Sequence, residues 1–249
     1  MKEAKIRLFV DAPLGAGQAV AVTADQANYL FNVMRLARGA QVLLFNGQAG
    51  EWRAEVAEAG KRGGILICTA QTAPQIMPPD LWLLFAPIKK ARTDFIVEKA
   101  VEMGAARICP VQTQHTHADR IRPEKLTAHA MEAAEQCGAT FVPPVDDLRP
   151  LDKVLATWPD NRLLFWADEA TAGQNLPIAG PKGAPSALLI GPEGGFSDTE
   201  KSRLRALPFI RPFALGPRIL RADTAAVAAL TLWQAALGDW GGDWVGDWP

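Results

Sequence analysis

Three short apolar runs lie at residues 81–85, 162–166 and 187–190, and stretches with apolar residues at helical spacing, residues 92–103 and 199–207, alternate with them. Continuously apolar strands need cover on both faces, which parallel strands joined by crossover helices provide. The pattern predicts a largely parallel α/β sheet. Ligands in such sheets sit at the carboxyl ends of the strands, so the segments that follow these runs are where chemistry is sought.

The first seventy or so residues read differently. Short strands are expected at residues 5–10, 19–22, 41–45, 51–57 and 64–69, a small barrel pattern. Asn46-Gly47 tolerates positive φ and predicts a hairpin between the third and fourth strands. Thr23 followed by Gln26 is a capping box, after which Tyr29, Leu30, Val33 and Met34 supply one apolar helical face. Pro74, Pro78 and Pro79 deny ladder hydrogen bonds and make residues 72–80 an extended connector. The division is therefore a first domain at residues 1–72, a second at 73–238, and a tail at 239–249. That tail repeats Gly-Asp-Trp and spaces Trp240, Trp244 and Trp248 four residues apart. Its glycines disfavour a helix, so it is expected to be flexible or loosely docked.

A formal net charge of −1 gives no global sign of nucleic-acid binding, and that reading must come from local clusters and motifs. No apolar run approaches the roughly 20 residues of a membrane span, so a cytosolic protein is expected. Cys68, Cys109 and Cys137 are odd in number and widely spaced, and predict neither a disulfide framework nor a metal site.

Two constellations carry chemistry. In the first, residues 187–190 run into Gly191-Pro192-Glu193-Gly194-Gly195-Phe196, and Ser197 with Glu200 forms a capping box beyond. Three glycines let backbone approach a ligand closely. The loop has neither the P-loop ending nor dinucleotide-fold spacing, and a structural turn fits it as well as a ligand loop. In the second, Leu215-Gly216-Pro217-Arg218-Ile219-Leu220-Arg221 leads through Asp223, Thr224 and Ala225 into a helix at residues 225–237, which Asp223 or Thr224 can cap. Flat apolar contact beside backbone polar groups suits an adenine ring. Arginines suit a phosphate or a developing oxyanion, although salt-bridged surface arginines have the same spacing.

Together these two motifs resemble the paired signature of the RsmE family, within the SPOUT class of knotted methyltransferases. The likeness extends through residues 90–104, Glu135-Gln136-Cys137-Gly138, Arg7-Leu8-Phe9 and Val33-Met34-Arg35. It implies a PUA-like RNA-binding β-barrel in front of an α/β domain whose C-terminal segment threads a trefoil knot. It also implies a homodimer, S-adenosylmethionine as methyl donor, and N3 of one uridine, position 1498 of 16S ribosomal RNA in the small subunit, as acceptor. The implied donor contacts are Phe165, Trp166 and Ala167, then Gly191, Pro192, Glu193, Gly194 and Gly195, then Leu215, Gly216, Ile219, Leu220, Thr224 and Ala225. Departures from the family pattern fall at Asn28-Tyr29, Gln114-His115, Ala139-Thr140-Phe141 and Asp223.

Methyl transfer to N3 needs a deprotonated, unpaired base, and an anion that spreads to the flanking carbonyl oxygens must be stabilised. Arg221 is the first candidate for that task and Arg218 the second. Glu193 can accept the proton or fix its loop, and the loop role is preferred. Arg7, Arg35 and Arg38, with Lys89, Lys90 and Arg92, are candidate phosphate contacts. His115 and His117 are read as exposed or RNA-adjacent rather than as metal ligands. The rival readings are the same scaffold acting on another RNA position, and an assembly factor that binds RNA without catalysis.

Overall fold

A computed structural model describes residues 5–117 and 121–240. They form two compact units, the first comprising residues 5–77 with Ala134–Val142, and the second residues 78–133 with residues 143–240. Residues 134–142, inside the second domain expected at 73–238, belong to the first unit. Trp240 is exposed, while Trp244 and Trp248 lie outside the described residues.

The first unit is a five-stranded sheet ordered β1-β3-β4-β5-β2. Its strands are β1 (Arg7–Phe9), β2 (Ala19–Val22), β3 (Gln41–Phe45), β4 (Glu51–Gly60) and β5 (Gly63–Ala73). Three register shifts along β4 and β5 are bulges that let these long strands bend. The expected β3–β4 hairpin is present, but its loop has more than two residues. Asn46 accepts the amides of Gln48 at 3.0 Å and Ala49 at 2.9 Å, a side-chain turn inserted before β4. Inward-facing Leu8, Val42, Leu44, Ala54, Val56 and Leu66 make the core.

The Thr23–Gln26 capping box opens a short helix, α1 (Ala24–Ala27), that continues as a π-helical turn over Asn28–Val33. The expected apolar face fails here. Only Leu30 of the four named residues is buried, whereas Tyr29, Val33 and Met34 are exposed. Hydrogen bonds from i to i+5 widen the turn and rotate later side chains off the α-helical stripe.

The second unit is built on a six-stranded parallel sheet ordered β11-β9-β10-β6-β7-β8. In chain order its elements are β6 (Leu81–Phe85), α2 (Lys90–Glu102), β7 (Arg107–Gln112), α3 (Pro123–Cys137), β8 (Arg149–Pro150), α4 (Leu151–Ala156), β9 (Leu163–Ala167), β10 (Ser186–Ile190), α5 (Asp198–Ala206), β11 (Ile210–Phe213) and α6 (Ala222–Ala236). The last turn of α3, from Ala134, packs with the first unit. Every residue of β10 is buried, as the apolar run from Ala187 to Ile190 predicts for a central strand.

Two polar devices fix the frame. Buried Thr93 accepts the Ile88 amide at 3.0 Å and donates to its carbonyl at 3.1 Å, closing the turn from β6 into α2. Gln234 of α6, fully buried, donates to the Met103 carbonyl at 2.7 Å and so satisfies the end of α2. Cys68 and Cys109 are buried free thiols, and burial raises the pKa of both above the ordinary thiol value, which disfavours the reactive thiolate.

Candidate functional site

A cavity of about 250 Å³ opens at the carboxyl ends of β9, β10 and β11, the side on which parallel α/β sheets place their ligands. The turn after β10 forms one wall through Gly191, Pro192, Glu193 and Gly195, and the turn after β11 another through Leu215, Gly216, Ile219 and Leu220. Ala167, Arg218, Arg221 and Ala225 complete the expected set on the wall.

Four expected donor contacts lie elsewhere. Phe165 and Trp166 are buried within β9, still paired to Arg211 and Pro212, so only the end of the strand at Ala167 reaches the cavity. Gly194 is exposed and faces His115, and Thr224 is exposed on the first turn of α6. Helix α6 also starts three residues earlier than expected, at Ala222, with Arg221 as its N-cap and no side-chain cap. Asp223 falls inside the first turn, where it accepts the Thr224 amide at 2.9 Å.

Gly195 is buried with φ of 65°, and a Cβ there would come within 2.6 Å of a Glu169 carboxylate oxygen. The loop therefore needs glycine both for its left-handed backbone and for the space above it. The Ser197–Glu200 capping box is formed and anchors the loop to α5, a device worth roughly 1 kcal/mol. Phe196 backs the cavity, edge-on to Trp166 at 5.8 Å.

His115 is half-buried rather than free. Its Nδ1 lies 3.0 Å from the Gly194 carbonyl and 3.2 Å from that of Gly195. Two carbonyl acceptors require that this nitrogen carry the proton. The neighbouring Gln114 amide donates to Glu200 at 2.9 Å, so the turn after β7 is fastened both to the glycine loop and to the first turn of α5. His117 is exposed.

The candidate RNA contacts separate into committed and free groups. Arg7 pairs with Glu51 at 2.6 Å, donates to the carbonyls of Ala134, Glu135 and Ala139, and packs 4.6 Å over Phe45. With its guanidinium so engaged, Arg7 is an internal tie of the first unit and not a free phosphate contact. Arg92 lies 3.8 Å from Glu193 and 3.6 Å from Asp223, bridging the glycine loop and the start of α6. Arg35, Arg38, Lys89 and Lys90 are exposed, although Lys90 pairs with Asp94 at 2.6 Å. Arg218 and Arg221 are exposed on the cavity rim.

Three polar wall residues went unread in the sequence: Asp168, Glu169 and Lys201. Asp168, buried, accepts from Arg205 at 2.9 Å and from the Ala170 amide at 3.0 Å. Glu169 pairs with Lys201 at 3.0 Å. The signal available was Asp-Glu directly after an apolar strand, polar side chains where a parallel sheet presents its ligand side.

Residues 76–234 match the RNA methyltransferase domain family, and residues 22–67 match the RNA methyltransferase PUA domain. Ribosomal RNA small subunit methyltransferase E of Synechocystis is 30% identical, covering 88% of this chain and 73% of that protein. Its counterpart in Rickettsia conorii is 27% identical, covering 90% and 93%. The crystal structure of ribosomal RNA small subunit methyltransferase E from Neisseria gonorrhoeae bound to S-adenosyl methionine superposes with a TM-score of 0.82, at 26% identity, over 94% of this chain and 99% of that one. The fold is accordingly a SPOUT-type α/β methyltransferase domain behind a small PUA-like domain. A family model that spans residues 76–234 and a relative 30% identical over most of both chains have one reading: the chain belongs to the ribosomal RNA small subunit methyltransferase E family of RNA methyltransferases.

Proposed function

We propose that this protein transfers the methyl group of S-adenosylmethionine to N3 of one uridine, position 1498, in 16S ribosomal RNA. The observation that carries the reading is one cavity that combines a glycine-loop wall, an apolar wall at Ile219–Leu220 and two exposed guanidiniums on its rim. Close-approaching backbone and flat apolar contacts suit an adenosyl group, and the bare backbone of Gly195 leaves its place on this wall to the Glu169 carboxylate, with no loop side chain in the way. When bound, the donor supplies a methyl group on a sulfonium with a good leaving group.

The residues then have two tasks. The first is alignment, because an in-line displacement gains most from holding its partners in place and excluding water. Gly191, Pro192, Gly195, Leu215, Gly216, Leu220 and Ala225 provide the walls for this, and Glu193, facing Arg92, holds its loop. The second is charge. Arg221 stabilises the uracil anion as N3 loses its proton, and Arg218 assists from the same rim. Arg35, Arg38, Lys89 and Lys90 serve as phosphate contacts. A homodimer and a cytoplasmic location belong to the same reading. Among the described residues no helix is long and apolar enough to cross a membrane.

Labelled S-adenosylmethionine incubated with undermethylated ribosomes should label small-subunit RNA. Label confined to large-subunit RNA or tRNA would overturn the substrate assignment.

The His115 contacts lead to a separable expectation. Asparagine can place an amide N–H near the position of Nδ1, whereas glutamine reaches past it. His115→Gln is expected to weaken donor binding about fivefold, the value of one net hydrogen bond, while His115→Asn stays within about twofold. Calorimetric titration with the donor distinguishes the two, and equal loss in both variants would remove the hydrogen-bonding role.

A further inference from the structure

We infer that Glu169 and Lys201 form the seat for the amino-acid end of the methyl donor, an assignment that rests on the proposed donor site. The donor has a flat nucleoside end and a zwitterionic end carrying an ammonium and a carboxylate. Ionic groups on the cavity wall divide sharply in what they can offer that zwitterion. Asp168 is buried and committed to Arg205 and the Ala170 amide, Glu193 faces Arg92, and Arg218 and Arg221 are both cations. Among the described residues, Glu169 with Lys201 is the one opposite-charge pair of which both members line the cavity.

Capacity and placement agree. The contact of 3.0 Å uses one of three ammonium hydrogens on Lys201 and one lone-pair site of the carboxylate. Ligand ammonium on Glu169 and ligand carboxylate on Lys201 therefore close a ring of four alternating charges. The side chains are 44% and 21% exposed, so the pair is accessible to a ligand while partly withdrawn from water. An independent observation comes from the glycine loop. The Glu169 carboxylate lies over Gly195 within the space that any side chain there would occupy, with both oxygens within 3.1 Å of a Cβ position. The absence of a side chain at residue 195 thus brings this carboxylate against the loop that walls the cavity.

The test compares two ligands that share adenine, ribose and thioether sulfur and differ in the amino-acid end: S-adenosylhomocysteine has it, and 5′-deoxy-5′-methylthioadenosine carries a methyl instead. Binding to wild type, Glu169→Gln and Lys201→Met is measured by calorimetry. Each substitution should weaken S-adenosylhomocysteine roughly tenfold, the scale of one charge-assisted hydrogen bond, and leave methylthioadenosine within about twofold. Retained methylthioadenosine binding also shows that the variants are folded. Equal loss for both ligands would place the pair at the nucleoside end and overturn the inference, as would unchanged S-adenosylhomocysteine binding. If wild type binds neither ligand, the donor site itself is wrong and the inference falls with it.

Discussion

Arg221→Ala is expected to lower the single-turnover rate about 10²-fold or more while changing donor affinity by no more than about twofold. The magnitude is that of deleting one donor to a developing oxyanion, because the guanidinium meets full charge only as N3 loses its proton. The structure separates this from a structural role. Arg221 is the N-cap of α6 but makes no side-chain cap hydrogen bond, and its side chain is exposed, so α6 should melt at nearly the wild-type temperature in the variant. Arg221→Lys should recover little, since an ammonium cannot present paired donors to a planar base edge. A phosphate contact would instead raise the Michaelis constant for RNA with turnover near normal. Rates measured at saturating RNA and donor distinguish these cases, and a wild-type rate would remove Arg221 from the chemical step.

Gly195→Trp should abolish donor binding altogether. Residue 195 is buried on the cavity wall with φ of 65°. A Cβ in that backbone conformation is strained by about 1–2 kcal/mol before any contact is counted. The indole must then displace the Glu169 carboxylate and project into the cavity that both residues line. Gly195→Ala adds only the strain and one close approach to a movable carboxylate, and a loss on the order of tenfold is expected. Unchanged calorimetric binding in a Gly195→Trp variant with a native circular dichroism spectrum would show that the donor binds elsewhere.

What was legible in the sequence was local. Both capping boxes, Thr23 with Gln26 and Ser197 with Glu200, depend on groups three residues apart and formed as read. The buried strands β6, β9 and β10 announced themselves as apolar runs, and the two loop motifs that follow β10 and β11 do meet at one cavity. The failures came from the competition between local pattern and distant partners. Arg7 looks like a free cation until three carbonyls 127 to 132 residues away take its hydrogens. His115 reads as a surface histidine, yet the carbonyls it binds are 79 and 80 residues on. Glu169 and Lys201 acquire meaning only once the fold brings them together across 32 residues. At Asn28–Val33 the error was in the period itself, since a π-helical turn carries no spacing that an α-helical count can recognise. Phe165 and Trp166 lie inside β9, short of the strand end at Ala167, because a sequence pattern locates a strand boundary only to within a few residues.

The central claim is a base, an atom and a donor, and one measurement addresses all three. Small ribosomal subunits isolated undermethylated are incubated with the protein and isotopically labelled S-adenosylmethionine, and nuclease fragments of the 16S RNA are sequenced by mass spectrometry. The account predicts one labelled fragment, containing N3-methyluridine at position 1498. Absence of incorporation, or label on another atom, base or position, would contradict it.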